Sequence, residues 1–235
     1  VIALRKALYA VWYYGWTAFL AILFIPAWVL PRKALMLGIG LWSRLLTWGL
    51  RVIGGVRVEI RGLGRLPEGG FLIAAKHQSM FDIVPPFAFL PGACFVLKKE
   101  LLAIPVFGQH LRKARMIPVD RAAHASALRK LVAAARGRLA EGRQLLIYPE
   151  GTRHRSGAEA DYKSGVAALY RELGLACIPI ATNSGTYLSA AGLPERPGTV
   201  VFEILDPIPA GLKRGEFMRV LQDQLETASD RLAGA

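Results

Sequence analysis

The chain has 235 residues, 53% of them hydrophobic, and carries 30 Lys and Arg against 17 Asp and Glu, a formal net charge of +13. That length holds one good-sized α/β domain, or a domain with an appendage. Cys94 and Cys177 stand apart from each other and from His77, His110, His124 and His154, which excludes a disulfide framework and a zinc site. A reducing, cytoplasmic setting is the simplest fit. A chain both apolar and basic suits an anionic membrane face and anionic substrates, each Lys or Arg near such a surface contributing roughly 1 kcal/mol.

The first fifty residues differ from the rest. Val11 to Leu30 is a run of twenty residues without a charge, and Ala34 to Leu50 is a second apolar stretch broken only by Arg44. All five tryptophans (12, 16, 28, 42 and 48) fall here, with Tyr9, Tyr13 and Tyr14. Such rings favour the headgroup level of a bilayer, where apolar body and polar tip are both satisfied. Twenty helical residues would extend about 30 Å, enough to cross the hydrocarbon layer. Basic residues flank both stretches (Arg5 and Lys6, Arg32 and Lys33, Arg51), so a spanning helix would place one cluster outside, against the positive-inside bias. The spacing favours a helical hairpin dipping into one leaflet, with Pro26 bending the first helix. Residues 1–52 are therefore read as a membrane-associated helical segment. Because the aromatics sit there and not among the basic residues, no nucleic-acid partner is expected.

From about residue 56, short apolar runs alternate with helical ones. Val56–Ile60, Gly70–Ala75, Cys94–Leu97, Met116–Val119, Leu145–Tyr148, Ala176–Ala181 and Thr199–Leu205 read as strands. Ala122–Ala140, Gly165–Leu173 and Arg214–Leu232 have helical spacing. This pattern predicts an α/β domain over residues 53–235, with a mostly parallel sheet flanked by helices.

In such sheets, sites gather beyond the carboxyl ends of strands, and two polar clusters stand there. The first is Lys76-His77-Gln78-Ser79-Met80-Phe81-Asp82. On one regular helix His77 and Asp82 would point roughly 140° apart, so they meet only across a turn. Ser79 supplies one if it caps a helix starting at Met80. Asp82 could then accept the imidazole Nδ1–H and leave Nε2 free to take a proton from an alcohol. The same Ser79-x-x-Asp82 spacing is also an ordinary capping pattern, and this segment alone does not decide between them. The second cluster is Glu150-Gly151-Thr152-Arg153, an acid, a flexible Gly and an Arg able to grip a phosphate in bidentate fashion. Lys98, Lys99, Arg112, Lys113, Arg115 and Arg121 crowd the region between the clusters, as an anionic-substrate groove would require.

Four blocks in order resemble the 1-acylglycerol-3-phosphate acyltransferases and related HxxxxD glycerolipid acyltransferases. They are His77 to Asp82; Lys98-Lys99-Glu100-Leu101 with Ile104 to Gly108 and Ile117 to Arg121; Tyr148 to Arg153; and Ile178 to Ala181, with an echo at Tyr162 to Gly165. Lys76 stands where many members carry Asn, and Tyr148 replaces a Phe. The resemblance implies that His77 acts as base and Asp82 orients it. It also implies that Glu150, Gly151, Thr152 and Arg153 bind the acceptor, with Arg121 or the Lys98–Lys99 pair assisting. No metal or organic cofactor is expected. The donor would be acyl-ACP or acyl-CoA, the acceptor a lysophospholipid, and the place an anionic membrane surface on the cytoplasmic face of the inner (plasma) membrane. Another lyso-lipid acceptor, such as lyso-ornithine lipid, and a non-catalytic membrane-binding module with the same fold are the competing expectations.

Overall fold

The computed structural model describes residues 1–120, 124–154, 157 and 161–234. Helix α1 (Ile2–Leu23) and helix α2 (Arg32–Gly49) form a hairpin joined by a 3-10 turn at Ile25–Trp28. A wide helical turn, Leu50–Gly54, leads to β1 (Val56–Arg61). There follow β2 (Leu72–Ala75), α3 (Pro86–Phe89), β3 (Cys94–Lys98), α4 (Phe107–Lys113), β4 (Ile117–Val119), α5 (His124–Ala140) and β5 (Leu145–Ile147). The chain closes with α6 (Gly165–Leu173), β6 (Cys177–Thr182), α7 (Ser184–Tyr187), β7 (Gly198–Ile204) and α8 (Arg214–Ala233).

Among the described residues the strands make one seven-stranded sheet in the order β1-β7-β6-β2-β5-β3-β4. Five neighbours, β6 to β4, run parallel, while β7 pairs antiparallel with β6 and parallel with β1. The link from β6 to β7 folds back on itself through a Leu188–Pro194 bridge instead of making a helical crossover, so β7 returns antiparallel. Successive strand residues point to opposite faces, and the sheet separates two cores. On one face Ile73, Ala75, Phe95, Leu146, Ile178, Ile180 and Phe202 pack with Tyr9, Tyr13, Leu35, Leu46 and Leu50 of the hairpin. On the other, Leu72, Ala74, Cys94, Leu145 and Cys177 pack with Leu131 and Ala135 of α5, Leu169 of α6, and Phe217, Leu221 and Leu225 of α8. Fully burying one such side chain contributes about 1.5–3 kcal/mol.

The charge-free run from Val11 to Leu30 is not one helix. α1 stops at Leu23, because Pro26 lacks the N–H that another α-turn needs, and only thirteen of the twenty residues lie in it. These rise about 20 Å. No helix among the described residues is long and apolar enough to cross a membrane. Three of the five indoles also depart from expectation, since their N–H groups serve the protein. Trp12 Nε1 donates to Leu45 O at 3.0 Å, Trp42 Nε1 to Thr17 Oγ1 at 2.9 Å, and Trp28 Nε1 to His110 Nδ1 at 2.8 Å. The helices approach closely because Gly38 and Gly49 give way, where a Cβ would lie 2.5 Å from the Phe24 ring and 2.2 Å from that of Trp12.

Candidate active site

Because β2, β5, β3 and β4 run parallel, their carboxyl ends share one edge of the sheet. His77 follows β2, the Glu150–Arg153 loop follows β5, and Lys99 follows β3, so strand order gathers segments far apart in sequence.

After Ala75 the backbone leaves the sheet, with Lys76 N still bonded to Ile180 O at 2.9 Å. Ser79 caps a 3-10 turn at Met80–Ile83, its Oγ accepting from Phe81 N at 3.3 Å. The turn cannot lengthen into an α-helix, because Pro85 and Pro86 remove the next amide donors. One oxygen of Asp82, Oδ2, accepts from Gln78 N and Ser79 N, both at 2.7 Å, and lies 3.1 Å from His77 Nδ1. The two readings of the Ser79-x-x-Asp82 spacing are thus one geometry: the carboxylate caps the turn and holds the imidazole together. An ionised carboxylate only accepts, so Nδ1 is the donor and Nε2 carries the lone pair. Asp82 is closed off, whereas the His77 side chain keeps 15% exposure, enough for a substrate atom to reach it.

Tyr148 covers one face of that imidazole, the rings stacked with centroids 4.1 Å apart. Its hydroxyl donates to Asp82 O at 2.9 Å, and burial raises its pKa well above the ordinary phenol range. The next cluster residue, Glu150, is fully buried. Its Oε2 accepts the His77 backbone N–H at 2.9 Å, and its Oε1 lies 3.0 Å from Lys76 Nζ. Burial pushes the Glu150 carboxyl up to about 7, against the downward pull of Lys76 and the His77 amide. Lys76 does not add a loose cation beside His77, for its ammonium is taken by Glu150 and by both oxygens of Glu226, at 2.6 and 2.8 Å.

Gly151 has φ +70° and closes a turn onto Tyr148 O at 3.1 Å, a backbone reason for glycine there. Thr152 and Arg153 are exposed, and Arg153 Nη1 donates to Ala190 O at 2.6 Å. The same carbonyl accepts from Met80 N at 3.1 Å, so the Arg153 loop and the His77 loop are tied to one point. Lys99 is exposed and ion-paired with Asp120, whose hydrogen bond raises the lysine pKa. Arg121 lies outside the described residues. Sequence reasoning passed over Gln78, whose Oε1 accepts from Gly185 N at 2.8 Å, and the Ser189–Ala190 backbone that receives Ser79, Met80 and Arg153. It also passed over Glu226, and named Tyr162 only as the start of an echo of the family pattern. Gln78 sits inside the first block and could have been singled out; the other contacts leave no local signal.

The family model for acyltransferases matches residues 57–183, which include both halves of this site. The chain is 38% identical over 159 residues to the 1-acyl-sn-glycerol-3-phosphate acyltransferase of Pseudomonas aeruginosa, a match spanning 68% of this chain and 62% of that protein. It is 30% identical over 208 residues to the 1-acyl-sn-glycerol-3-phosphate acyltransferase alpha of Bos taurus, covering 86% of this chain and 71% of the relative. Another relative, the lyso-ornithine lipid O-acyltransferase of Pseudomonas aeruginosa, is 31% identical over 209 residues, covering 79% of this chain and 78% of that one. The crystal structure of the 1-acyl-sn-glycerophosphate (LPA) acyltransferase PlsC from Thermotoga maritima superposes with a TM-score of 0.81 at 18% identity, over 100% of this chain and 99% of that one. That likeness establishes the fold, and the matched model, laid over the strand-end edge where His77, Asp82 and Glu150 converge, establishes more: the chain belongs to the acyltransferase family.

Proposed function

We propose that the chain transfers a fatty acyl group from acyl-ACP or acyl-CoA to the free hydroxyl of 1-acyl-glycerol-3-phosphate, giving phosphatidic acid, with His77 as general base. The observation that carries this reading is the bond from His77 Nδ1 to Asp82 Oδ2, which leaves Nε2 with its lone pair on a side chain that keeps 15% exposure. The acceptor hydroxyl gives its proton to Nε2 while its oxygen attacks the thioester carbonyl carbon. Collapse of the tetrahedral intermediate breaks the C–S bond, and the imidazolium returns the proton to the departing sulfur. Such base catalysis contributes typically about 10²–10⁴-fold. No enzyme nucleophile is required, because the acceptor's own oxygen attacks.

Closed off as it is, Glu150 serves acceptor binding through the backbone it holds, while Gly151, Thr152 and Arg153 offer amide, hydroxyl and guanidinium to the phosphate. Lys99 adds positive charge on the same edge, and Arg121, outside the described residues, is proposed to assist it. Leu4, Leu8, Val11, Phe19 and Ile22 form an exposed apolar stripe along α1, continued by Val29, Leu30, Leu37 and Leu41. A stripe of that extent, flanked by Arg and Lys, suits the hairpin to lying in one leaflet of an anionic membrane, on the cytoplasmic face of the inner membrane.

The test is thioester consumption by the full chain in vesicles, comparing wild type with His77→Ala. Near-normal turnover by a folded His77→Ala variant would sink the assignment. A second acceptor is favoured by one observation, the similarity to a lyso-ornithine lipid O-acyltransferase over most of both chains. Preference for a phosphate-free lyso-lipid, with Arg153→Ala harmless, would select it. Vesicle binding without thioester consumption would instead indicate a membrane-binding module.

A further inference from the structure

Against the backbone of His77 lies a group of charged and polar side chains drawn from four parts of the chain. Lys76 follows β2, Glu150 follows β5, Tyr162 precedes α6, and Glu226 stands on α8. The Lys76 side chain is 2% exposed and that of Glu150 is fully buried, while Glu226 retains 29%. Lys76 Nζ reaches Glu226 Oε1 at 2.6 Å and Oε2 at 2.8 Å, and stands 3.0 Å from Glu150 Oε1. Tyr162 OH donates to Glu226 Oε1 at 2.7 Å, and its ring centroid is 5.8 Å from the ammonium. Glu150 Oε2 receives the His77 N–H at 2.9 Å. A continuous chain of contacts therefore runs from the carboxyl-terminal helix through Glu226, Lys76 and Glu150 to the backbone of His77.

We infer that Glu226 is a positioning residue for acyl transfer: by holding Lys76 it keeps Glu150 on the His77 amide and the imidazole in its working place. The inference rests on the reading of His77 as base. Lys76 offers three N–H donors from a side chain that is only 2% exposed. If Glu226 is removed, the ammonium turns wholly to Glu150 Oε1, and because both oxygens belong to one rigid carboxylate, that pull shifts Oε2 on the His77 amide. The ion pair prevails, because a buried ammonium left without its counter-charge costs more than one weakened amide bond. His77 N–H then loses its anchor, although Asp82 still holds the ring. Glu226 lies beyond residues 57–183, so nothing in the family match speaks for it. It also supplies a reason for Lys at position 76: a side chain long enough to pass beyond Glu150 can recruit α8 to the site.

The full chain in vesicles is assayed for thioester consumption as wild type, His77→Ala, Lys76→Met, Glu226→Gln, Glu226→Asp and the double variant Lys76→Met/Glu226→Gln. Glu226→Gln is expected to lower kcat on the order of 10–100-fold, the scale of a 1 Å misplacement, with the donor KM within about twofold. Glu226→Asp, which keeps the charge, recovers part of the loss. The double variant loses no more than Lys76→Met alone, because both act through one contact. A kcat within about twofold of wild type while Tm falls would reduce Glu226 to structural support and overturn the inference, as would losses that multiply. Should Glu226→Gln fail to fold, Tyr162→Phe removes one hydroxyl from the same carboxylate and should lower kcat about two- to fivefold at unchanged KM, since Lys76 still holds that carboxylate; an unchanged kcat overturns the inference equally. An inactive His77→Ala beside an unimpaired Glu226→Gln sinks this inference alone, whereas an active His77→Ala sinks the reading beneath it.

Discussion

Tyr148 lies flat against His77, the two ring planes inclined by only 22°, and its hydroxyl reaches past the imidazole to the carbonyl of Asp82 at 2.9 Å. One side chain thus touches both members of the pair, His77 through its ring and Asp82 through its backbone. A Phe would keep the first contact and lose the second. Tyr148→Phe is expected to lower kcat by roughly fivefold, the equivalent of one neutral hydrogen bond of about 1 kcal/mol. Tyr148→Ala, which also uncovers the imidazole face, should cost more, and equal rates for the two variants would show that only the hydroxyl matters.

Asp82→Asn tests the carboxylate. Its Oδ2 gathers three N–H groups, from His77, Gln78 and Ser79, and an amide oxygen accepts them more weakly. An amide N–H turned to Nδ1 would also favour the wrong imidazole tautomer. The expected loss is about 10²–10⁴-fold in kcat, with the protein destabilised by about 1–3 kcal/mol. Turnover within tenfold of wild type would separate Asp82 from the chemistry and leave it as a cap.

Stability should carry the signature of Glu150. Its folded pKa, raised by burial to about 7, exceeds its value of 4.5 in an exposed chain, so the native state holds this proton more firmly than the unfolded one. The contribution is fully present below about pH 4.5 and is lost as pH rises through 7, with a slope of at most about 1.4 kcal/mol per pH unit. Glu150→Gln removes the titration. Its denaturation midpoint should vary less than that of wild type between pH 4.5 and 7, and parallel profiles would place the titration elsewhere.

The α1 stripe predicts the mode of membrane attachment. Val11 and Phe19 are 74% and 54% exposed, so Val11→Asp/Phe19→Asp disturbs little packing. It should weaken binding to anionic vesicles at least tenfold in a flotation assay, because two apolar contacts are lost and two negative charges added. Its Tm in detergent should stay near that of wild type. Unchanged vesicle binding would leave the basic surface as the anchor.

Much of this molecule was legible in one dimension. Alternating and continuous apolar runs marked all seven strands to within about two residues, because a strand buried on both faces leaves no position for a polar side chain. Strand-end placement alone singled out both polar clusters, since parallel strands deliver their carboxyl ends to one edge. What pattern could not supply was direction and partnership. Nothing in Gly198–Ile204 says that β7 runs against β6, because that depends on how the preceding link folds back. Local spacing could not choose between imidazole partner and helix cap for Asp82, and the structure shows one oxygen accepting the Ser79 amide and lying 3.1 Å from His77 Nδ1.

The greasy amino-terminal segment shows the same division. Its composition determined that two helices form and that they carry more apolar surface than one core can use. Only the tertiary structure decided which side of each helix is spent inside, with the indole N–H groups turned to Leu45, Thr17 and His110, and which side is left outward. Likewise, the order of residues determined that His77 stands beside Asp82 and that Glu150 follows a strand. That Glu150 turns inward to hold the His77 amide, with Lys76 and Glu226 behind it, was decided by packing, because contacts 73 and 150 residues apart in sequence exist only once the sheet and α8 have closed around them.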